Sequence, residues 1–281
     1  MVHPEVEDQF VARPENPQKN FIAIRTRCMF KCLSKLDVSC ATGPDQLSAR
    51  ILRELASVIA LPLTILCRRI LYEACWPTRW KVHHVVPIFK KASVYDPNNY
   101  RGVHLTSIVS KAVERVVGQP LLVFLEQHGF GKNQWAFRKK CSARDLSVTC
   151  ISGWILAICM GKKIGVYLGD ISGAFDRVFK DFLTAKLCSV GVADVFLDWL
   201  SSYLEPRIGR VTVENVMSDV FELVDTVFQG TVLGPPLWNT FFHDVSGPAS
   251  SNGGQETLFA DDLSVSKSFE WTCDNAEILE D

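Results

Sequence analysis

The sequence lacks the cysteine patterns of secreted and zinc-binding proteins. Its ten cysteines include no C-x-x-C pair and no Cys/His cluster with zinc spacing, so the pattern argues against a zinc ribbon and a disulfide framework. Several of them lie in apolar runs, where a free thiol behaves as a small hydrophobic group, so we expect a reducing, intracellular compartment. We expect no secretory leader, because the first ten residues lack a charged segment followed by an apolar run.

Long hydrophobic runs and low-complexity segments are missing as well. The most apolar stretch, Ile151–Met160, is too short to cross a bilayer and is followed by two lysines, so we expect no membrane-spanning segment. With 47% hydrophobic and 22% charged residues, the composition is that of a globular protein. It excludes disordered and collagen-like chains, and 281 residues can form one large domain or two smaller ones.

Charge is distributed unevenly along the chain, although the net charge is only −1. Residues 61–169 carry 16 Lys and Arg against 5 Asp and Glu, whereas residues 170–281 carry 6 against 19. A basic middle followed by an acidic end is typical of a protein that binds a polyanion and holds metal ions with carboxylates. The alternative is a solvated surface on which charges of each sign are segregated.

Apolar periodicity predicts an α+β fold that is mostly helical before Gly161 and mixed after it. Asp45 is expected to cap a helix that starts at Gln46, and Pro62 and Pro120 are each expected to begin a new helix.

Three further elements are predicted from local patterns. Val82–Phe89 resembles a strand that ends at two lysines, Ser142–Met160 a helix, and Lys163–Gly169 a buried strand that delivers Asp170 at its end.

Three aspartates stand out among apolar neighbours. Asp170 follows a predicted strand, and Asp261 and Asp262 interrupt an apolar run that is expected to form a hairpin. Burying such a pair without a cation is costly, because like charges repel and desolvation adds to the penalty. Acids at strand ends suit two hard divalent cations. The alternative for these residues alone is an exposed turn acid and a helix cap.

Three segments around these acids resemble reverse transcriptases. Asp170–Asp176 resembles the motif that carries the first metal ligand, Phe228–Pro235 the loop and helix below the incoming base, and Phe259–Asp262 the metal-binding hairpin. They occur in the order found in that family. The upstream segments that resemble the fingers of the non-LTR (LINE-type) branch, together with its N-terminal extension, are Gly43–Asp45, Val86–Lys91, Asn99–Arg101, Ser107–Val116 and Gln134–Arg138.

This resemblance implies the fingers and palm of a right-hand polymerase, with an antiparallel palm sheet flanked by helices. It divides the chain into an N-terminal linker over 1–34, the N-terminal extension and fingers over 35–161, and an incomplete palm over 162–281. Because few residues follow the hairpin, we expect the thumb to be absent and the chain to be truncated after the catalytic hairpin.

The resemblance also implies roles for individual residues. Asp170, Asp261 and Asp262 would be catalytic metal ligands for two Mg²⁺ ions. The residues expected to bind the incoming nucleotide are Lys90, Lys91, Arg101, Phe175, Gln229 and Gly230. Phe175 would exclude the ribose 2′-hydroxyl. Arg138, Lys139 and Lys140 would contact the phosphates of the nucleic acid.

The resulting hypothesis is an RNA-directed DNA polymerase that transfers nucleotides from dNTPs to a primer 3′-OH. Its partners would be an RNA template, a DNA primer and a dNTP, with no membrane, in the nucleus or cytoplasm. One alternative is a catalytically inactive, nucleic-acid-binding remnant of a retroelement polymerase. Another is an unrelated metal-dependent phosphatase or nuclease, which would not need the Arg101 and Gln229-Gly230 segments.

Overall fold

The computed structural model describes residues 23–171, 173–214, 216–224, 227–274, 276 and 278. Its contacts divide the chain into two compact units. The first unit comprises Met1–His128 and Phe175–Leu237, and the second comprises Gly129–Ala174 and Trp238–Asp281. Both helices and sheets are present, which confirms the α+β prediction. The expected division of the chain into fingers and palm after residue 161 stays a prediction.

The helices of the described residues are α1 (Thr26–Ser34), α2 (Ala49–Glu54), α3 (Ala56–Tyr72), α4 (Ile108–His128), α5 (Ala143–Cys159), α6 (Lys180–Val190), α7 (Asp194–Tyr203), α8 (Gly234–Phe241) and α9 (Pro248–Ser251). The strands are β1 (Val82–Phe89), β2 (Tyr100–Leu105), β3 (Lys162–Gly169), β4 (Arg207–Val213), β5 (Val216–Met217), β6 (Phe221–Leu223), β7 (Gln255–Phe259) and β8 (Asp262–Glu270). No helix among the described residues is both long enough and apolar enough to cross a membrane.

The first unit contains a sheet in the order β2-β1-β4-β5, with β6 also paired to β4. Strands β1 and β2 are antiparallel, whereas β1 and β4 are parallel. As predicted, β1 ends at Phe89, directly before the two lysines. Beside the sheet, Trp76 packs against Trp199 and Tyr203 with ring centroids 6.0 and 5.2 Å apart. These large, fully buried rings form part of the core of this unit.

The start of the first unit differs from the expected linker over 1–34. Residues 1–22 of that segment lie outside the described residues. Thr26–Ser34 forms helix α1, because Met29 and Leu33, one turn apart on the same face, are completely buried.

Helix starts also differ from the sequence prediction at three places. Ser48, rather than Asp45, caps α2, since its hydroxyl accepts the Ile51 N–H. Pro62 and Pro120 lie inside α3 and α4 instead of beginning helices. Both prolines are exposed, and buried residues on each side hold the two halves of each helix against the core, which offsets the lost N–H.

The second unit is built on a three-stranded antiparallel sheet in the order β3-β8-β7. Helix α5 begins after Ser142, whose hydroxyl accepts the Asp145 N–H at 3.2 Å, so its predicted start is confirmed. Strand β3 is also confirmed, and it ends at Gly169 opposite Leu263 of the central strand β8. The strand order therefore places the end of β3 beside the start of β8. The prediction that β3 is buried was wrong, because Val166, Tyr167 and Leu168 are all exposed.

Candidate functional site

The acidic pair lies at the turn between β7 and β8, as the apolar flanks predict. Phe259 pairs with Asp262, so Ala260 and Asp261 alone form a two-residue turn. Ala260 has a φ of +59°, and Asp261 is not among the residues with positive φ. Positive φ at only the first turn position is typical of a type II′ turn, in which glycine is preferred. An alanine at this position is therefore strained.

Asp170 lies at the same end of the sheet as this turn. It directly follows Gly169, which pairs with Leu263, so continuing the register places Asp170 across from Asp262. Partial desolvation raises the pKa of Asp262, although its side chain is exposed, and the negative charges of Asp261 and Asp170 raise it further. The three carboxylates therefore repel one another at this end of the sheet.

The donor chemistry of these acids fits a hard divalent cation, which prefers carboxylate oxygens and relieves their repulsion. Among the residues that the structure describes, no group of three or more His, Cys, Asp or Glu side chains forms a preassembled metal site. The acids are thus close enough to interact electrostatically, while their oxygen atoms do not converge on one point.

A glutamine that sequence reasoning did not single out contacts the same turn. The Gln134 side chain accepts a hydrogen bond from the Ala260 N–H at 2.9 Å and donates one to the Ala260 carbonyl at 3.1 Å. Gln134 is only 3% exposed. Gln134 could have been found from its place in the Gln134–Arg138 segment, which resembles a family motif. Nothing in the sequence, however, indicated that its side chain contacts Ala260.

Three predicted phosphate-binding cations lie at one end of the β1–β2 hairpin in the first unit. Arg101 is directly opposite Ile88, and the Lys90 N–H donates to the Asn99 carbonyl at 2.8 Å, which extends the register by one residue. Side-chain alternation then places Lys90 on the same face as Arg101, and Lys91 follows in a bend outside the strand. All three cations are exposed.

Gln229 and Gly230 form a loop that is bonded to β2. The His104 N–H donates to the Gln229 carbonyl at 3.0 Å. Gly230 has a φ of +106°, and a Cβ there would lie 2.6 Å from the His104 carbonyl oxygen. Only glycine satisfies both conditions without a shift of the backbone.

A buried histidine, His83, and a half-buried one, His104, lie next to this loop. His83 and His104 approach through their Nδ1 atoms at 3.1 Å, and His83 Nε2 is 3.3 Å from an Arg207 guanidinium nitrogen. Burial lowers the pKa of His83 to about 2 and that of His104 to about 4, and the Arg207 charge adds to both effects. Both rings are therefore neutral at pH 7. No spacing pattern in the sequence links these two histidines, because they meet only through the pairing of β1 with β2.

Phe175 and the basic segment complete the set of predicted site residues. Phe175 is half-buried at the start of a 3₁₀ turn, Phe175–Arg177, in the first unit. In the second unit, the Arg138 guanidinium donates to the carbonyls of Gly131 and Gln134 at 3.1 and 3.2 Å. Arg138 therefore stabilises its own loop, while the neighbouring lysines 139 and 140 are exposed.

An acidic hairpin beside a third carboxylate on an antiparallel sheet is typical of proteins that transfer phosphoryl groups with metal ions. The family follows from a direct comparison. Residues 88–276 match the model of the family described as "Reverse transcriptase (RNA-dependent DNA polymerase)". This match covers more than half of the chain, and the chain belongs to the reverse transcriptase family.

Relatives with curated names place the chain near mobile-element polymerases. It is 28% identical over 246 residues to the "Probable RNA-directed DNA polymerase from transposon X-element" of Drosophila melanogaster, covering 86% of this chain and 27% of that protein. It is 27% identical over 242 residues to the "RNA-directed DNA polymerase from mobile element jockey" of the same species, covering 83% of this chain and 26% of that protein. The predicted relationship to non-LTR elements is confirmed, and the chain spans about a quarter of the length of these relatives.

Proposed function

We propose that this chain provides the fingers and palm of an RNA-directed DNA polymerase, which extends a primer 3′-OH with dNTPs on an RNA template. The observation that carries the proposal is the strand register, which brings Asp170, at the end of β3, across from Asp262 at the start of β8 and beside the Ala260–Asp261 turn. These acids belong to the first and the last of the three segments that resemble polymerase motifs, and the region that matches the family, residues 88–276, contains both.

Asp170 and Asp261 are the proposed ligands for two Mg²⁺ ions, with Asp262 as a supporting ligand. Two such ions supply activation of the 3′-OH nucleophile and neutralisation of the pyrophosphate leaving group. Mg²⁺ suits this site because it prefers carboxylate oxygens and keeps phosphate and water among its ligands. The protein's own contribution is to hold the acids at adjacent strand ends of a sheet.

Lys90 and Arg101 are the proposed ligands for the triphosphate. Their common face on the β1–β2 hairpin lets both side chains approach one polyanion, and the Arg101 fork can bind phosphate oxygens in pairs. Lys91, which is exposed in the bend after Lys90, is a further proposed contact of the same triphosphate.

The remaining roles concern the nucleotide and the template. Gln229 and Gly230 are proposed to contact the template-paired nucleotide, since the missing Cβ at Gly230 lets this loop pack closely against β2, to which it is hydrogen-bonded. Phe175 is proposed to exclude the ribose 2′-hydroxyl. Lys139 and Lys140 are proposed to bind template phosphates because they are exposed, whereas Arg138 supports their loop.

Primer extension on an RNA template tests this function directly. The full chain is incubated with an annealed DNA primer and dNTPs, with Mg²⁺ or with excess chelator. The proposal predicts extension only with Mg²⁺. Binding of the primer–template without any extension would support the inactive, nucleic-acid-binding alternative, and cleavage of the substrate would support the nuclease alternative.

A further inference from the structure

The Gln134 side chain satisfies both backbone polar groups of the turn residue Ala260. Its Oε1 accepts the Ala260 N–H, its Nε2 donates to the Ala260 carbonyl, and Oε1 also accepts the Ala136 N–H at 3.0 Å. A planar amide that donates and accepts at one residue fixes both the position and the orientation of that residue.

The segment that carries this amide is itself fixed to the hairpin. The Leu258 N–H donates to the Asn133 carbonyl and the Trp135 N–H donates to the Leu258 carbonyl, each at 2.9 Å. Gln134 therefore lies beside β7 like a short parallel strand, with its side chain directed along β7 toward the turn. The side chain starts from an anchored backbone and loses little freedom when it binds the turn.

The turn needs such a partner because its backbone is strained. Ala260 has a Cβ and a φ of +59°, a combination that is unfavourable for every residue except glycine. Strained conformations persist only where the surroundings determine them, and they concentrate at functional sites. Asp261, a proposed metal ligand, is the next residue in the turn.

We propose that Gln134 is a positioning residue that holds the Ala260–Asp261 turn in the conformation required for cation binding by Asp261 and Asp262. The inference rests on the proposed function, because it concerns the same acids. Gln134 does not touch substrate or metal in this proposal, and it acts through the backbone of Ala260. The competing interpretation is a buried glutamine that contributes only to overall stability.

The test compares three variants of the full chain. Gln134→Met keeps the length of the side chain and removes every hydrogen bond. Gln134→Glu keeps an acceptor for the two N–H groups but cannot donate to the Ala260 carbonyl when ionised. Gln255→Met is the matched control, because Gln255 is exposed at the other end of β7.

Two of the readouts do not depend on activity. Amide hydrogen exchange across residues 259–263 reports the order of the turn, and titration with Mn²⁺, followed by its electron paramagnetic resonance signal, reports cation affinity. Gln134→Met is expected to exchange faster at these amides and to bind Mn²⁺ about tenfold more weakly, as is typical when a partner behind a metal ligand is lost. The exchange rates and the Mn²⁺ affinity of Gln134→Glu should lie between those of Gln134→Met and those of the parent. Gln255→Met should match the parent in both measurements.

A fourth substitution separates positioning from general damage. Ala260→Gly removes the cost of the positive φ, so in the Gln134→Met background it is expected to restore part of the Mn²⁺ affinity. Primer extension by Gln134→Met should show a lower kcat with unchanged KM for dNTP. If Gln134→Met fails to fold, the same comparison is made with Gln134→Glu, which retains two of the three hydrogen bonds.

Unchanged Mn²⁺ affinity together with unchanged exchange at 259–263 would overturn the proposal. Faster exchange spread evenly over the second unit, without rescue by Ala260→Gly, would also overturn it, because that is the result of a purely structural role. A parent chain that binds Mn²⁺ but extends no primer would contradict the proposed function alone, since the exchange and Mn²⁺ results still decide the role of Gln134.

Discussion

Glu114 and Tyr203 form a buried hydrogen bond in which the tyrosine hydroxyl donates to Glu114 Oε1 at 2.6 Å. The same carboxylate oxygen accepts the Leu233 N–H at 2.7 Å, so Glu114 connects α4 and α7 to the segment that follows Gly230. Burial raises the pKa of Glu114, although these two hydrogen bonds and the Arg207 charge act in the opposite direction. The carboxylate thus organises this loop at a cost in desolvation.

Glu114→Gln is expected to leave stability at pH 8 unchanged or to raise it. An amide oxygen can still accept from Tyr203 and Leu233, while the buried charge disappears. A raised pKa means that the contribution of Glu114 to stability is complete below its unfolded pKa and is lost as pH rises through its folded pKa. Urea unfolding at pH 5 and pH 8 measures this effect. Between the two pH values, the free energy of unfolding should fall less for Glu114→Gln than for the parent.

The matched variant is Tyr203→Phe, which leaves the buried carboxylate with one partner fewer. The free energy of unfolding of Tyr203→Phe is expected to be about 1–3 kcal/mol lower than that of the parent at either pH. A loss of that size in Glu114→Gln at pH 8 would instead show that the negative charge itself is required, with Arg207 as its counterpart.

Acid is expected to destabilise the first unit through His83 and His104. The pKa of His83 is lowered to about 2 and that of His104 to about 4, from an ordinary value of 6.5. For a lowered pKa, stability is complete above the unfolded value and is lost as pH falls toward the folded value. For His104 the loss between pH 6.5 and pH 4 is on the order of 3 kcal/mol.

The measurement compares urea unfolding of the parent, His104→Asn and His128→Asn at pH values from 7.5 to 4.5. Subtracting one variant from another removes the contribution of the carboxylates, which titrate in all of them. The free energy of unfolding should depend less on pH in His104→Asn than in the parent. In His128→Asn it should depend on pH as it does in the parent. Parallel plots of unfolding free energy against pH for all three proteins would rule out a His104 that is held neutral in the folded state.

Gly230→Ala is expected to disrupt the loop before α8. The new Cβ would lie 2.6 Å from the His104 carbonyl oxygen, and the backbone φ is +106°. Gly161→Ala is the matched control, because Gly161 also has a positive φ of +73° but has nothing within 4 Å of a Cβ. The free energy of unfolding should fall by about 1 kcal/mol in the control. It should fall further in Gly230→Ala, which should also bind dNTP more weakly than the parent. Equal losses would show that the close approach to His104 does not constrain the loop.

Phe175→Val tests the proposed discrimination between sugars. A smaller side chain is expected to admit ribonucleotides, which would change the ratio of kcat/KM for dNTP and rNTP. Phe182→Val, in the neighbouring helix α6, removes the same bulk outside the motif and should leave the ratio unchanged. A ratio that does not change in Phe175→Val would assign Phe175 to packing.

Local patterns in the sequence were sufficient where neighbours along the chain determine the structure. Strand β1 and the cap of α5 at Ser142 follow from adjacent residues, and so does the turn at Asp261, where acids interrupt an apolar run. The predicted helix cap at Asp45 was wrong because of a contact with a residue far away in the sequence. Its carboxylate accepts the Ser107 hydroxyl, 62 positions away, and Ser48 takes over the cap.

The least predictable parts of the candidate site are contacts between distant segments. Gln134 and Ala260 are 126 positions apart, and Glu114 and Leu233 are 119 apart. The polar side chains of Gln134 and Glu114 are visible in the sequence, yet their partners depend on strand order and helix packing. Sequence spacing alone carries no information on either.

Primer extension by Asp261→Asn, compared with Asp274→Asn, tests the central claim most directly. Asp274 is an exposed carboxylate of the same unit whose oxygen accepts the Ala276 N–H, a bond that asparagine retains. We expect Asp261→Asn to fold normally and to lose Mg²⁺-dependent extension by more than about a hundredfold, since even partners behind metal ligands contribute about 10–100-fold. Asp274→Asn should extend like the parent. Extension by Asp261→Asn at the rate of the parent would contradict the account, because the hairpin acid would then play no part in nucleotide transfer.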